Sequence, residues 1–338
     1  MKIRDLKFWP YPPGVVLRIT ADDGAVGWGE CGTPLSTDQV RALDWLRGRE
    51  VSAYEVHRHR LLAHPAQGAV NMALLDLMGK AVKAPVYQLL GGPTRTKVRA
   101  LIAAGFDPPQ GVEALMARGH RAFIVPAGPA AGPRQQFLTG VVNRLEKFRK
   151  DLGEGCDFVL DGQGALTPGE AQQVSHAIEG LHPMWFDEPC SLTNLGAAKK
   201  IAEENVTPLG WGRQMAALSE VQEVLREQMC DVVRLDLGRH GISSIRKAAA
   251  LAETYYVAVA PFHRGGPIAT AAALHLAASL PNFFAQQLPL PENDEVAKRR
   301  AELVGAELEN PVNGYLTLPT GPGLGIHVNE RLLEQEAA

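Results

Sequence analysis

The N-terminal part of the chain alternates hydrophobic and polar positions in a way that predicts a β-hairpin. Residues 15–20 alternate, Asp22-Asp23-Gly24 follows as a turn signal, and residues 25–30 return with the sequence Ala-Val-Gly-Trp-Gly-Glu. An Asp-Gly pair between two alternating runs is a strong signal for a tight turn between antiparallel strands. We therefore expect the chain to begin with a small antiparallel sheet.

From about residue 37 to residue 90 the pattern becomes helical. Residues 69–80 carry apolar side chains around most of the helical circumference, as expected for a helix that packs against structure on two sides. Gly91-Gly92-Pro93 is a strong breaker and ends this region.

After residue 97, short apolar runs alternate with helical stretches. Eight such runs are rich in Val, Ile, Leu and Phe and lack hairpin turns between them, which favours parallel strands joined by helices. The predicted strands are 98–104, 122–125, 157–160, 184–186, 207–210, 231–235, 256–261 and 283–287. A closed barrel of this kind carries its chemistry at the carboxyl ends of the strands.

Three of these strand ends carry charged side chains at an even spacing. Asp161, Asp187 and Arg213 are 26 residues apart each time, which is the length of one strand, one helix and two loops. We expect the three side chains to face one another at the barrel mouth. Three acids there would predict a site for a hard divalent cation, but the arginine places a positive charge in the chain itself.

The composition excludes several function classes. With 338 residues, 46% hydrophobic content and a formal net charge of -3, the sequence is typical of a soluble protein with one large and one smaller domain. No basic block predicts nucleic-acid binding, no apolar run predicts a membrane span, and the N-terminus does not resemble a secretory signal. The four cysteines lack a CxxC spacing, so we expect reduced thiols and a cytoplasmic protein.

Taken together, these segments resemble the enolase superfamily, specifically its mandelate racemase and muconate lactonizing enzyme branch. The landmarks span nearly the whole chain and are residues 27–30 (Gly-Trp-Gly-Glu), 85–92, 187–189 (Asp-Glu-Pro), 260–268 and 321–325. The resemblance implies an α/β fold: a modified (β/α)7β barrel under an α+β N-terminal capping domain that the C-terminal tail completes. The domains expected are 1–95 (cap), 96–310 (barrel) and 311–338 (a segment packing back on the cap). It also implies a homo-oligomer.

The family's Mg²⁺ site transfers to this chain only in part. The resemblance implies a cation that steadies the enediolate formed when a base removes the proton next to a carboxylate. Asp161 matches the first metal ligand and Asp187 stands where the second, usually glutamate, is found, whereas Arg213 stands at the third acid. We interpret Asp161 and Asp187 as vestigial ligand positions and predict no cofactor.

The family's proton-transferring groups are also largely absent. The paired lysines of the second barrel strand would fall at Ile124 and Pro126, and neither side chain accepts a proton. Asp236 matches the aspartate of the sixth strand, but the position of its histidine partner holds Phe262. The neighbouring His263 would reach the barrel axis only through a bulge, because adjacent strand residues point to opposite faces. Asp236 and His263 remain the candidate catalytic pair.

The arginine has a clear physical consequence. Replacing one acid of the trio changes its formal charge from -3 to -1, and the guanidinium offers a fork of donors to the remaining acids. We expect Arg213 to pair with Asp161, Asp187 or both, although a solvent-facing Arg213 is the alternative. Arg213, Gln163 and Arg264 are the candidate substrate-binding residues, and a small anionic substrate would suit them.

Three functions remain open at this stage. The first is a barrel that keeps a small-molecule site but has lost Mg²⁺-assisted proton abstraction. The second is an active racemase, epimerase or dehydratase of a carboxylate, such as an acid-sugar or amino-acid derivative, that uses Asp236, His263 and Arg213. The third is a non-catalytic binding or assembly protein. In the family a mobile loop between the first two strands closes over the substrate, and residues 9–14 are only a stub of it.

Overall fold

The structure, a computed structural model, describes residues 1–105, 111–128 and 133–336. Its N-terminal part is a three-stranded antiparallel sheet in the order β1-β2-β3, followed by four α-helices and two short 3-10 helices at 44–46 and 51–53. The elements are β1 Ile3–Tyr11, β2 Gly14–Ala21, β3 Val26–Cys31, α1 Thr37–Arg41, α2 Tyr54–Arg60, α3 Gln67–Ala81 and α4 Val86–Leu89. The predicted hairpin is β2 and β3.

The long helix α3 is apolar nearly all round because it is enclosed on several sides. It packs on β3 and β2 of the sheet and on a helix of the barrel, and most of its residues are buried. Gly27 and Gly29 of β3 let the strand backbone approach this helix closely: a Cβ at Gly29 would lie 1.9 Å from the Ala69 carbonyl oxygen. The capping domain is therefore fixed to the barrel through α3.

Among the described residues, eight parallel strands alternate with seven helices, which confirms the predicted modified (β/α)7β barrel with an α+β cap. These elements, with the helix after the last strand, are β4 Lys97–Ala103, α5 Val112–Ala117, β5 Ala122–Pro126, α6 Arg134–Leu152, β6 Asp157–Asp161, α7 Pro168–Ile178, β7 Phe186–Asp187, α8 Leu195–Glu204, β8 Leu209–Trp211, α9 Leu218–Arg226, β9 Val232–Val233, α10 Leu237–Glu253, β10 Ala258–Val259, α11 Pro267–Ala277, β11 Gln286–Leu288 and α12 Asp294–Val304. A 3-10 turn at 179–181 follows α7.

The sheet runs β10-β9-β8-β7-β6-β5-β4-β11, and single parallel bridges join its two outer strands. Val259 pairs with Phe283 and Phe262 pairs with Gln287, which brings β10 against β11 and closes the barrel. Because the strands are parallel, their carboxyl ends meet at one mouth of the barrel. Several of them have only two or three residues in regular ladder geometry.

The barrel interior follows strand parity. A small apolar cluster fills it, formed by Leu101, Ala122, Ile124, Val159, Trp185, Val232, Ala260 and Ala285. Side chains two residues further along a strand point the same way, because strand side chains alternate between faces. Asp161 therefore follows Val159, Asp187 follows Trp185 and Arg234 follows Val232, so all three point toward the axis.

The C-terminal segment contacts both the barrel and the cap. β12 Tyr315–Thr317 pairs antiparallel with β4, and α13 Glu330–Glu336 packs on β1. In the cap, the Leu324 amide donates to Asp76 Oδ1 of α3 at 2.8 Å. No helix within the described ranges is long and apolar enough to cross a membrane.

Candidate functional site

A cleft of about 540 Å³ opens where the strand ends meet the capping domain. The cap contributes the turn after β3 and the loop before α3, and the barrel contributes the segments that follow β8, β9 and β10. Its lining includes Cys31, Gly32, Thr33, His64 and Gln67 from the cap and Arg213, Gln214, Asp236, Arg239 and Arg264 from the barrel. Three arginines face one aspartate, so this cleft suits an anion.

The Arg213 guanidinium lies on both aspartates of the predicted trio. Its Nη1 donates to Asp161 Oδ2 at 2.5 Å and lies 3.5 Å from Asp187 Oδ2. Arg213 is 21% exposed toward the cleft, whereas the Asp161 and Asp187 side chains are 7% and 0% exposed. Burial, followed by the nearby charge of Asp187, raises the pKa of Asp161, and Arg213 opposes that rise. The arginine thus compensates two buried carboxylates from the solvent side.

A second arginine, Arg234, reaches Asp187 from inside the barrel. Its side chain is fully buried, its Nε donates to Asp187 Oδ1 at 3.0 Å, and its other nitrogens donate to the Ala260 carbonyl and the Gln287 side chain. The Trp185 indole also donates to Asp187 Oδ1 at 3.0 Å. Arg234 is not among the candidate residues that the sequence predicted. Strand parity with Val232 and Asp236 was the signal that could have found it.

Glu188 holds the backbone of the loop that carries Arg213. One carboxylate oxygen, Oε1, accepts from the Gly212 and Arg213 amides, each at 2.8 Å. Burial, followed by the charge of Asp187, raises the pKa of Glu188 to about 7. Gly212 has a φ of +133°, a conformation that side-chain-bearing residues rarely adopt, so this loop needs glycine there. Glu188 therefore sets the position of Arg213 through the main chain.

Phe262 lies at the position where the sequence resemblance implies a histidine base. Its ring lies within 6.0 Å of three guanidinium carbons, at 5.5 Å for Arg213, 5.8 Å for Arg234 and 6.0 Å for Arg264. A ring among cations stabilises them through its quadrupole but accepts no proton in this chemistry. The aromatic ring thus suits the arginine cluster around it.

The structure separates the candidate pair Asp236 and His263. Asp236 caps α10 by accepting from the Gly238 amide at 2.8 Å, it lines the cleft, and burial raises its pKa. His263 points away from the axis: it is buried, its Nε2 lies 3.3 Å from Thr270 Oγ1, and burial lowers its pKa to about 4. Strand alternation explains this placement, since Phe262 points inward. Within the described ranges, no hydrogen bond joins His263 to Asp236.

Of the other two candidate substrate-binding residues, Arg264 lines the cleft and Gln163 does not. Arg264 lines the cleft, and its guanidinium makes no ion pair or hydrogen bond with the described part of the protein. Gln163 is exposed and is not among the described residues that line the cleft; its amide donates to Asp161 Oδ1 at 2.8 Å. Arg239, which also lines the cleft, lies 3.3 Å from the Gln214 carbonyl oxygen.

The donor set does not fit a Mg²⁺ ion. Mg²⁺ requires about six oxygen ligands in octahedral order, with carboxylates free to turn toward it. Here Asp161 and Asp187 already accept from Arg213 and Arg234, and both guanidinium groups would repel a dication. Across the described residues, no three His, Cys, Asp or Glu side chains are grouped so that they could hold a metal ion.

The connection between β1 and β2 is too short to cover the cleft. β1 ends at Tyr11 and β2 begins at Gly14, so only Pro12 and Pro13 connect them. Trp9 and Tyr11, which precede this turn, are 3% and 7% exposed and pack inside this chain. The connection between the first two strands is thus a tight turn, as its length predicts.

Comparisons with known proteins agree with this architecture. Residues 110–332 match the family described as enolase C-terminal domain-like, and residues 12–91 match the mandelate racemase / muconate lactonizing enzyme N-terminal domain. The chain is 28% identical over 357 residues to a D-galactonate dehydratase of Klebsiella pneumoniae (strain 342), which covers 98% of this chain and 93% of the relative.

Two solved structures share the fold over almost their whole length. A mandelate racemase/muconate lactonizing enzyme-like protein from Roseovarius sp. TM1035 has a TM-score of 0.85 at 28% identity, covering 99% of this chain and 95% of that one. A mandelate racemase/muconate lactonizing enzyme from Sulfitobacter sp. has a TM-score of 0.87 at 26% identity, with the same coverage of 99% and 95%. The chain belongs to the mandelate racemase/muconate lactonizing enzyme branch of the enolase superfamily.

Proposed function

We propose that this protein binds a small carboxylate in the arginine-lined cleft without a divalent cation, and that it has lost the family's Mg²⁺-assisted removal of an α-proton. The observation that carries the proposal is the position of Arg213, with Nη1 2.5 Å from Asp161 and 3.5 Å from Asp187. A guanidinium there supplies hydrogen bonds and charge but no open coordination position.

The charge balance of the site supports an anionic ligand. Arg213 and Arg234 offset Asp161 and Asp187 in the interior, so the cleft surface is left with Arg239 and Arg264 against Asp236. A net positive, partly enclosed surface attracts anions, and guanidinium groups hold carboxylates in a two-point geometry. Asp236 can accept a hydrogen bond from a ligand hydroxyl. These features favour a hydroxylated carboxylate.

The chain offers no strong base at the positions that would face an α-carbon. Ile124 and Phe262 are buried and apolar, and Pro126 ends β5. His263 is turned away from the cleft. Proton abstraction requires a titrating group within hydrogen-bond reach of the proton it removes. Of Ile124, Pro126, Asp236 and His263, only Asp236 lines the cleft, which supports binding without the ancestral reaction.

The test is calorimetric titration with D-galactonate, other aldonates and small dicarboxylates. D-galactonate is included because one relative is a D-galactonate dehydratase. We expect saturable binding that EDTA does not change. Arg264→Met should weaken binding about tenfold or more, because a charge-assisted contact is lost. Arg226→Met is the matched control: its side chain is 68% exposed on α9, a helix that supplies no residue to the cleft. Binding that requires Mg²⁺, or equal losses in both variants, would contradict the proposal.

The 28% identity to a D-galactonate dehydratase over nearly the whole chain favours a second candidate, an active dehydratase, racemase or epimerase of a carboxylate. In that case Asp236 would exchange the α-proton and Arg213 would hold the carboxylate. Proton NMR in D2O distinguishes the two: deuterium incorporation or product formation that Asp236→Asn abolishes would establish the enzyme. Absence of both turnover and ligand binding would favour a non-catalytic assembly protein.

A further inference from the structure

Glu30, at the end of β3, crosses the boundary between the cap and the barrel. It is 1% exposed, and its carboxylate accepts from two main-chain amides of the barrel, Gly266 at Oε1 and Ala269 at Oε2, the latter at 3.0 Å. These amides lie at the N-terminal end of α11, which begins at Pro267 and has no side-chain cap from its own flanking residues. A strand of one domain thus caps a helix of the other.

The two hydrogen bonds of Glu30 do for α11 what a capping box does for a helix within one segment. A helix leaves its first amides without intrahelical partners, and an acceptor at that end stabilises both the amides and the helix dipole. Pro267 lacks an amide hydrogen, so it needs no acceptor. Glu30 takes two other amides at this helix end, including that of Gly266, the residue before the first helical position.

Glycine leaves room for the contact on the barrel side. A Cβ at Gly266 would lie 2.4 Å from Glu30 Oε1 and 2.9 Å from the Tyr11 ring. On the cap side, a Cβ at Gly32 would lie 2.6 Å from the Arg264 carbonyl carbon and 2.8 Å from its Cβ. Segments 30–32 and 264–266 therefore touch at two points: the Glu30 side chain meets the Gly266 backbone, and the Gly32 backbone meets that of Arg264.

These two segments also form part of the cleft wall. Cys31, Gly32 and Thr33 follow Glu30 directly, and Arg264 lies two residues before Gly266. We propose that Glu30 is a positioning residue: by capping α11 from the other domain it fixes Arg264 at the cleft, so that ionisation of Glu30 sets how well the cleft holds a carboxylate. This inference rests on the proposed function.

The surroundings of Glu30 raise its pKa into the neutral pH range. Burial raises the pKa of Glu30 to about 7, while its amide partners and Arg300 oppose the rise and Glu309 adds to it. The other groups that face it are Tyr11 from β1, whose pKa burial raises to about 12, and the buried pair of Arg300 on α12 with Glu309. An ionised Glu30 offers two strong acceptor oxygens, whereas the neutral acid offers one.

The test compares dissociation constants for D-galactonate in wild type and Glu30→Gln from pH 5.5 to 8.5. We expect a variant-to-wild-type ratio near one at pH 5.5, where both groups are neutral, rising to about tenfold at pH 8.5. Taking the ratio removes pH effects that the two proteins share. Glu334→Gln, which removes an exposed carboxylate paired with Lys7, should give a ratio near one throughout. A ratio for Glu30→Gln that does not change with pH overturns the proposal.

Amide hydrogen exchange separates this proposal from the proposed function. Without ligand, the amides of Gly266 and Ala269 should exchange faster in Glu30→Gln than in wild type at pH 8.5 and equally at pH 5.5. If wild type binds no carboxylate, the proposed function fails, and equal exchange at pH 8.5 would then reject the Glu30 contact as well. If Glu30→Gln does not fold, Gly266→Ala displaces the same contact from the barrel side and must weaken binding more at pH 8.5 than at pH 5.5.

Discussion

Asp187 is the carboxylate that three neighbouring side chains of the site contact. It accepts from Arg234 and Trp185 at one oxygen and lies 3.5 Å from Arg213 at the other. A buried carboxylate is tolerated when its charge is offset and its lone pairs are satisfied, and here both conditions are met by side chains. The remaining capacity of Asp187 to bind a cation is small for that reason.

Removing Arg213 should destabilise the fold in a pH-dependent way. Arg213→Met leaves Asp161 buried without its partner, a change that costs about 2–3 kcal/mol of unfolding free energy at pH 8. The folded pKa of Asp161 is already raised and would rise further, so the loss should shrink toward pH 5 as the carboxyl group takes up a proton. Urea unfolding at both pH values measures this. Arg226→Met should change stability by less than about 0.5 kcal/mol.

Arg234 and Asp187 should be strongly coupled. Arg234→Met leaves a fully buried carboxylate short of one donor and should cost about 3–5 kcal/mol. Adding Asp187→Asn removes that charge, so the double variant should be more stable than the sum of the single losses predicts, by about 1–3 kcal/mol. A double-mutant cycle by urea unfolding gives the coupling. Simple additivity would show that the two groups do not compensate each other.

His263 provides a test of its buried, neutral placement. Its pKa is lowered to about 4 in the fold, against about 6.5 when unfolded, so the unfolded chain binds the proton first as pH falls. Stability that depends on a neutral His263 is therefore present above pH 6.5 and lost as pH falls toward 4. His263→Gln should become less destabilising at pH 5 than at pH 7.5 by about 2 kcal/mol. An unchanged difference would mean that His263 is solvated, as a base in the cleft would be.

At the scale of elements, the cap and barrel meet where main chains touch. Segments 30–32 and 264–266 approach through Gly32 and Gly266, and α3 receives β3 through Gly27 and Gly29. Gly27, Gly29 and Gly32 face backbone atoms, so an added side chain there would displace a strand or helix, whereas a Cβ at Gly266 would meet side chains. The glycines of the landmark Gly27-Trp-Gly-Glu30 thus serve domain packing.

Gly266→Ala tests this contact directly. Its Cβ would press on Glu30 and Tyr11 and displace a buried carboxylate from the end of α11, so we expect a loss of about 1–3 kcal/mol. Thermal and urea unfolding give the value. Gly180→Ala is the matched control, because a Cβ there would meet no atom within 4 Å. Equal effects of the two substitutions would mean that the Glu30 contact is unimportant.

For the molecule as a whole, the pattern of apolar runs was sufficient for the barrel. Strands such as 157–161 and 122–126 are enclosed on both sides, so their sequences are apolar and easily recognised. The positions of Arg213 and Phe262 followed from register against the family landmarks. The position of Arg234 was not predicted, because arginine is rarely buried inside a barrel and its hydrogen-bond acceptors lie on other strands. Contacts between domains, such as that of Glu30 with Gly266, likewise cannot be predicted from a single sequence, because the two residues are far apart in the chain.

The proposed function requires that guanidinium groups occupy the place that the family resemblance assigns to a divalent cation. Calorimetric titration of wild-type protein with Mg²⁺, after dialysis against EDTA, tests this most directly. We expect no saturable heat up to millimolar Mg²⁺, because the aspartates are held by Arg213 and Arg234. Binding in the micromolar range, with Mg²⁺ coordinated by Asp161 and Asp187, would contradict the account.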